Sequence, residues 1–364
     1  MSKTIVFTGG GSAGHVTGNL VLIPKCAADN WSIHYIGSEQ GIERQLLSGH
    51  KEVTYHSIAT GKLRRYLAWA NVTDVFKVMK GIIQAYRLIK RIKPNLVFSK
   101  GGFVSVPVVI GARLNRVPII IHEPDLNLGL ANRLSLPFAT TLTTTFKETA
   151  ANVHTQKGVY VGPILKEEFH YRRRGLSSSG IVRGKPILLV MGGSQGAQSI
   201  NRIVTEALST LLDKFQVIHI CGKGKVDHSI SLPGYRAYEF VTDELPELLA
   251  MADVVVSRAG SSSIMELLAL QKPMLLIPHT NGGSRSGQLA HAQYFQRAGF
   301  ADMLLEEHLT ALSLVAAIMQ LYENRITYSD TMNKHEKSRE ASPIMDLIRL
   351  AASQTITMAQ QDQV

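Results

Sequence analysis

Thr4-Ile5-Val6-Phe7-Thr8 runs directly into Gly9-Gly10-Gly11-Ser12-Ala13-Gly14-His15, and half a chain later Ile187-Leu188-Leu189-Val190-Met191 runs into Gly192-Gly193-Ser194-Gln195-Gly196-Ala197. Each is a short, unalternated apolar run, as expected of a parallel strand covered on both faces. Each ends in glycines that open a helix. Glycine lets the backbone approach a ligand closely, and the free N–H groups of the helix N-terminus point at an anion. One such loop is a weak signal; two, spaced by about half the length, imply two similar α/β halves facing a shared ligand.

Working outward, further strand-like runs lie at 33–36, 96–98, 118–121, 217–220, 254–256 and 274–277. Segments of helical periodicity separate them, such as Val75-Val78-Met79-Ile82-Ile83-Tyr86. This is the βαβ rhythm of a doubly wound parallel sheet, and it occurs twice. At 364 residues the chain exceeds the size at which one core usually divides. The boundary is placed after Val161-Gly162-Pro163, before an Arg-, Gly- and Ser-rich stretch at 171–180. A last amphipathic helix is expected from about Ile344 to Ala352.

The hydrophobic fraction of 45% and charged fraction of 18% are those of a globular protein, while a formal charge of +11 calls for an acidic partner: phosphorylated substrate, anionic membrane or nucleic acid. The two cysteines, Cys26 and Cys221, make no disulfide framework and have no metal-ligand spacing, so a reducing cytosol is expected. The N-terminus does not read as a signal peptide, and the longest uncharged apolar stretch ends at Arg113, well short of the ~20 residues of a membrane span.

Gly9, Gly11 and Gly14 fit the spacing of a dinucleotide-binding loop, which makes a nicotinamide-dependent oxidoreductase one alternative. That pattern wants an acid closing the second strand, where Glu39 is the nearest candidate. His15 falls in the first turn of the helix, where the dipole lowers its pKa; it reads either as a general base or as a turn cap. Ser99-Lys100-Gly101-Gly102-Phe103-Val104-Ser105 is a third glycine loop, and His122-Glu123 ends the next strand, as a site pair or a buried structural one. Ser257-Arg258-Ala259-Gly260 leads into Ser261-Ser262-Ser263, where the serines suit an N-cap, and then Glu266, a carboxylate suited to the two hydroxyls of a ribose. Gln288 follows the glycine-rich stretch 281–287 and is read as a loop residue. No D-x-D occurs, so a diphosphate would be neutralised by helix ends. The stripe Phe76, Val78, Met79, Ile82 and Ile83 is expected to face the core. The stretch before it, with Arg64, Arg65, Tyr66 and Trp69, suits an anionic lipid surface. No nucleic-acid motif is present.

Together these motifs resemble the MurG family of peptidoglycan N-acetylglucosaminyltransferases over nearly the whole chain, to about Ala352. The resemblance implies a GT-B fold: an α/β protein of two Rossmann-like doubly wound parallel-sheet domains with a cleft between them. The first is expected at 1–162, facing acceptor and membrane, and the second at 163–340, binding the donor, with a C-terminal helix at 341–364 packing back on the first. It implies inverting transfer of GlcNAc from UDP-GlcNAc to the C4 hydroxyl of MurNAc in lipid I, forming lipid II, without metal or cofactor. A peripheral location on the anionic cytoplasmic face of the bacterial membrane is implied as well. By resemblance, His15 and Glu123 are catalytic. Ser12, Ala13, Gly14, Lys166, Gly193, Ser194, Gln195, Val241, Ser261, Glu266 and Gln288 bind the donor. Gly10, Gly11, Gly101, Gly102, Phe103 and Val104 face the acceptor pyrophosphate. The sequence departs from the family at Pro163-Ile164-Leu165-Lys166, where an arginine usually follows a Gly-Asn/Ser-Pro-Val run. It departs also at Asp125, often asparagine, and at Gly287, where a polar residue is common. A UDP-GlcNAc 2-epimerase of the same fold is the nearest alternative.

Overall fold

The computed structural model describes residues 3–61, 69–153, 156–166, 169, 184–193, 196–241, 244–279, 286–337 and 343–361. The chain divides into two compact units, Met1–Ile164 with Glu340–Val364, and Leu165–Arg339.

The first unit runs β1 (Thr4–Thr8), α1 (Gly14–Ala28), β2 (Ser32–Ser38), α2 (Ile42–Leu46), β3 (Val53–Ile58), α3 (Trp69–Ile92), β4 (Leu96–Ser99), α4 (Ser105–Leu114), β5 (Ile119–Glu123), α5 (Leu130–Ser135), β6 (Thr141–Thr144), α6 (Lys147–Ala151) and β7 (Gly158–Tyr160). Its seven strands are all parallel, in the order β3-β2-β1-β4-β5-β6-β7. The second unit runs β8 (Ile187–Met191), α7 (Gln198–Lys214), β9 (Gln216–Ile220), β10 (Tyr235–Tyr238), α8 (Leu245–Met251), β11 (Val254–Ser257), α9 (Ser261–Ala269), β12 (Met274–Leu276), α10 (Ser286–Arg297), β13 (Ala301–Met303), α11 (Ala311–Glu323) and α12 (Arg325–Lys337). Its six strands are parallel too, in the order β10-β9-β8-β11-β12-β13. In both sheets the chain first winds outward from one strand and then returns to wind the other way. The reversal lies between β1 and β4 in one unit and between β8 and β11 in the other. Ligands of such sheets bind outside the carboxyl ends of the strands at that point.

The uniformly apolar strands are explained by burial on both faces. Ile5, Phe7, Leu96 and Phe98 pack under Leu22 and Ile23 of α1, while their neighbours Val6 and Val97 pack on the other face with Ala85, Ile89 and Val108. A final helix, α13 (Ile344–Gln361), returns from the end of the chain and buries Met345, Ile348 and Ala352 in the first of these layers. Arg349 of α13 holds Asp29 at 2.8 Å.

The strands that sequence patterning did not single out are β3, β6, β7, β10 and β13. Four of them are sheet edges, and their residues (Val-Thr-Tyr-His-Ser-Ile, Gly-Val-Tyr, Tyr-Arg-Ala-Tyr and Ala-Asp-Met) are half exposed and lack the continuous apolar run of a central strand.

Helix α3 corrects one expectation. Phe76, Met79 and Ile83 are exposed, at 71%, 54% and 50%, and Val75 beside them at 51%. The buried face is instead Gly81, Ala85 and Ile89. A Cβ on Gly81 would strike the Ala59 carbonyl, and one on Gly111 of α4 would lie 3.0 Å from Ala85 Cβ. Small residues bring the helix close to its neighbours, which turns its large apolar side chains outward. Arg64, Arg65 and Tyr66 lie outside the described residues, as does the side chain of Trp69.

Candidate functional site

In the first unit the loops after β1 and β4 meet at the switch point. The Lys100 N–H donates to the Thr8 carbonyl at 2.9 Å, tying β4 to β1. The Lys100 carbonyl lies 3.2 Å from Nδ1 of His15, in the first turn of α1. That contact sets the tautomer, with Nδ1 protonated and Nε2 free to accept a proton. Gly102 has φ +80°, and a Cβ there would strike the Gly10 carbonyl and come within 3.1 Å of the His15 ring. Only glycine allows so close an approach of the two loops. Phe103 packs its ring against Gly11. The Gly11 N–H donates to the buried Glu43 carboxylate at 3.3 Å, which also takes the Ser38 N–H at 2.9 Å. Among the described residues the N–H groups of Ser12, Ala13 and Gly14 have no partner, so they are free for an anion.

The charges around His15 come from the next strands. His15 is half-buried, and its pKa is lowered chiefly by burial; Lys100 pushes it further down, while Asp125 and the Lys100 carbonyl oppose. Burial, rather than the helix dipole, is thus the main cause. Lys100 is itself buried, which brings its ammonium down to about 7 against the pull of Glu123 and Asp125. Glu123 is pushed up to about 7 by burial and by Asp125. Its carboxylate accepts from the N–H groups of Asp125 (3.0 Å) and Gly129 (2.9 Å) and from Asn132 Nδ2 (2.9 Å), so it holds the 124–129 loop. His122 is fully buried between the hydroxyls of Thr143 and Thr145, with its pKa well down through burial.

In the second unit the loop after β8 turns at Gly193 (φ +83°) and Gly196 (φ +67°). A Cβ on Gly196 would strike the Cys221 carbonyl. Ser194 and Gln195 lie outside the described residues. Across the switch point, α9 is capped by Gly260 without a side-chain bond, so Ser261, Ser262 and Ser263 are not the caps expected of them. They are half-buried, and their hydroxyls have no hydrogen-bond partner among the described residues. Glu266, one turn on, is pushed up to about 7 by burial, with Lys166 pulling it back. Val241 is half-buried at the end of the loop after β10. Gln288 corrects a second expectation: it sits in the first turn of α10, not in a loop, and its Oε1 accepts from the His279 N–H at 3.0 Å.

The model of the glycosyltransferase family 28 N-terminal domain matches residues 5–144, and that of the family 28 C-terminal domain matches residues 187–348. A Bacillus cereus protein is 53% identical over 352 residues, 96% of this chain and 99% of its own length; it is named "UDP-N-acetylglucosamine--N-acetylmuramyl-(pentapeptide) pyrophosphoryl-undecaprenol N-acetylglucosamine transferase 3". The transferase of that name from Geobacillus thermodenitrificans is 51% identical over 353 residues, 96% of this chain and 98% of its own. The chain belongs to the MurG branch of glycosyltransferase family 28. The crystal structure of Acinetobacter baumannii MurG superposes with a TM-score of 0.75 at 21% identity, covering 96% of this chain and 99% of that one, and so shares its fold.

Two residues brace this MurG-type architecture in ways that sequence patterning does not reveal. Glu43 braces the first glycine loop from α2; the dinucleotide pattern drew attention to Glu39, four residues earlier. Arg258, directly after β11, donates to Glu306 at 2.7 and 3.0 Å, to Ser199 Oγ at 3.1 Å and to the Ile277 carbonyl at 3.1 Å. Glu306, which follows β13, also bonds Ser199 and faces His279 at 3.6 Å, so one ion pair joins the first turn of α7 to the segments after β11, β12 and β13. Arg258→Met should cost about 1–2 kcal/mol of unfolding free energy, because it leaves the half-buried Glu306 carboxylate without its donors. Hydrogen bonds from Arg258 hold the Glu306 pKa below its ordinary value. Its stabilisation is therefore complete above that value and lost as pH falls through the folded one. Chemical denaturation at several pH values should show this acid dependence shrinking in the variant.

Proposed function

We propose that this protein transfers N-acetylglucosamine from UDP-GlcNAc to the C4 hydroxyl of MurNAc in undecaprenyl-pyrophosphoryl-MurNAc-pentapeptide, lipid I, giving lipid II. The observation that carries this reading is the 53% identity, along nearly the full length of both chains, to a transferase of that name. The test is release of UDP from UDP-GlcNAc with a short-chain lipid I analogue: UDP should appear only when the acceptor is supplied. An epimerase would release UDP, or isomerise the donor, without it.

His15 is the general base. Its free Nε2 takes the C4 hydroxyl proton as that oxygen attacks C1 of GlcNAc, and the C1–O bond to the β-phosphate breaks on the opposite face, inverting the anomeric centre. Glu123 serves by holding the loop that carries Asp125. The loops at Gly10–Gly11 and at Gly101, Gly102, Phe103 and Val104 receive the acceptor pyrophosphate, while the open N–H groups of Ser12, Ala13 and Gly14 meet the donor. In the second unit Gly193, Ser194, Gln195 and Ser261 face the donor diphosphate, and Val241 the uracil. Glu266 takes the ribose hydroxyls, and Gln288 the sugar. Lys166 acts beside Glu266, as its pull on that carboxyl supports. The leaving diphosphate is stabilised by helix N-termini and backbone N–H groups rather than by a divalent metal, in keeping with a sequence that lacks D-x-D.

Docking is through α3. Phe76, Met79 and Ile83 form an exposed apolar ridge beside the exposed Lys77, Lys80, Arg87 and Lys90, a surface suited to the anionic cytoplasmic face of the membrane. No helix among the described residues is long and apolar enough to cross a membrane.

His15→Ala should lower turnover by about 10²–10⁴ with UDP-GlcNAc affinity intact, measured by steady-state kinetics and calorimetry. Activity should persist in excess EDTA; complete loss restored by Mg²⁺ would contradict helix-end neutralisation. Burial holds Glu266 at about 7, and the ionised form is the better acceptor for ribose. UDP affinity should therefore fall as pH drops below that value, by up to about tenfold per unit, and Glu266→Gln should flatten the dependence. Replacing both Phe76 and Met79 with Asp should weaken binding to phosphatidylglycerol vesicles at least about tenfold, while sparing turnover of a water-soluble acceptor.

A further inference from the structure

The ammonium of Lys100 has no role in the chemistry so far, yet its placement is specific. The residue is 4% exposed. Its side chain runs under α1 into the space left by Gly18, one turn beyond His15; a Cβ on Gly18 would lie 2.5 Å from Lys100 Cε and 3.0 Å from Nζ. Among the described residues no acceptor takes a hydrogen bond from Nζ, and no carboxylate lies within ion-pair distance of it. An ammonium on a buried side chain, with Glu123 and Asp125 acting on it beyond ion-pair distance, projects its field into its surroundings at reduced effective dielectric.

We propose that Lys100 is a positioning residue for the base: its peptide carbonyl orients the His15 imidazole, and its buried ammonium keeps that imidazole unprotonated. This rests on the reading of His15 as the base. Among the described residues two charged groups act on His15: Lys100 from the end of β4 and Asp125 from the loop after β5. Glu123 acts on Lys100, and His122 lies between the hydroxyls of Thr143 and Thr145. From α2 comes Glu43, which is bonded to the Gly11 N–H. Asp125 favours the imidazolium and Lys100 disfavours it. Removing the ammonium leaves Asp125 to act alone. Lys100 is mostly protonated below about 7, and His15 titrates below its ordinary value, so the repulsion operates where it is needed.

The experiment replaces Lys100 with Met, which fills the same slot without charge and leaves the carbonyl in place. Titration of the His15 ring, followed by NMR of ¹³C-labelled histidine in the full-length protein, should move up by about one pH unit relative to the native chain. The acid limb of kcat/KM should move up with it, so that turnover at a pH below the limb falls about tenfold, while KM for UDP-GlcNAc is unchanged. A His15 titration that stays in place in the folded variant overturns the proposal. If the methionine variant does not fold, Lys100→Gln decides the matter by the same titration. Active His15→Ala would sink the base itself, whereas an unmoved ring titration sinks only the role of Lys100.

Discussion

The peptide group of Lys100 is the joint on which the first unit depends. Its N–H binds β4 to β1 across the switch point and its carbonyl holds His15 at the mouth of α1. Move that peptide, and the two glycine loops, the tautomer of His15 and the field at its ring all change together. Gly102 contributes by allowing the second loop to reach the Gly10 carbonyl, where any side chain would force the loops apart. The N–H groups at the start of α1 stay unpaired because a parallel strand feeding a helix leaves them so. The open N–H groups are thus a by-product of how the sheet is wound.

The second unit repeats the arrangement with a different treatment of charge. Lys100 directly follows β4 and Arg258 directly follows β11, so each unit places a buried cation just past the strand beside its switch point. Arg258 is matched by Glu306 in a two-bond pair, which ties the first turn of α7 to the segments after β11, β12 and β13. Lys100 is left without such a mate. A guanidinium suits the first task, since its fork fixes geometry, and a single flexible ammonium suits the second. One half of the molecule uses its cation to hold shape and the other to set a proton affinity.

Most of this architecture was legible in the sequence, because central parallel strands must be apolar on both faces and their glycine exits are conspicuous. β1, β4, β8 and β11 and the loops after them could be read directly. The edge strands could not, since β3 and β10 carry Thr, His, Ser and Arg on half-solvated faces. The stripe on α3 has the period of a core-facing helix, but Gly81 and Ala85 reverse which face is buried, and the spacing of large residues alone does not carry that information. Gln288 was read into a loop because glycines precede it, yet the helix starts at Ser286. Glu43, Lys100 and Glu306 escaped because their roles arise from tertiary proximity: each acts on a loop or ring from another element. Resemblance to a known family supplied the roles of Val241 and Gln288, which no local pattern would have suggested.

The central claim is a division of labour in which the His15 loop serves the acceptor and the α9 loop serves the nucleotide. Amide hydrogen exchange tests it most directly, with the full-length protein alone, with UDP, and with a short-chain lipid I analogue. The account predicts that UDP slows exchange at the start of α9, around Ser261, Ser262 and Ser263. The acceptor analogue should instead slow exchange at Gly10, Gly11, Gly101 and Gly102. Protection of the Gly9–His15 loop by UDP, with none at α9, would contradict it.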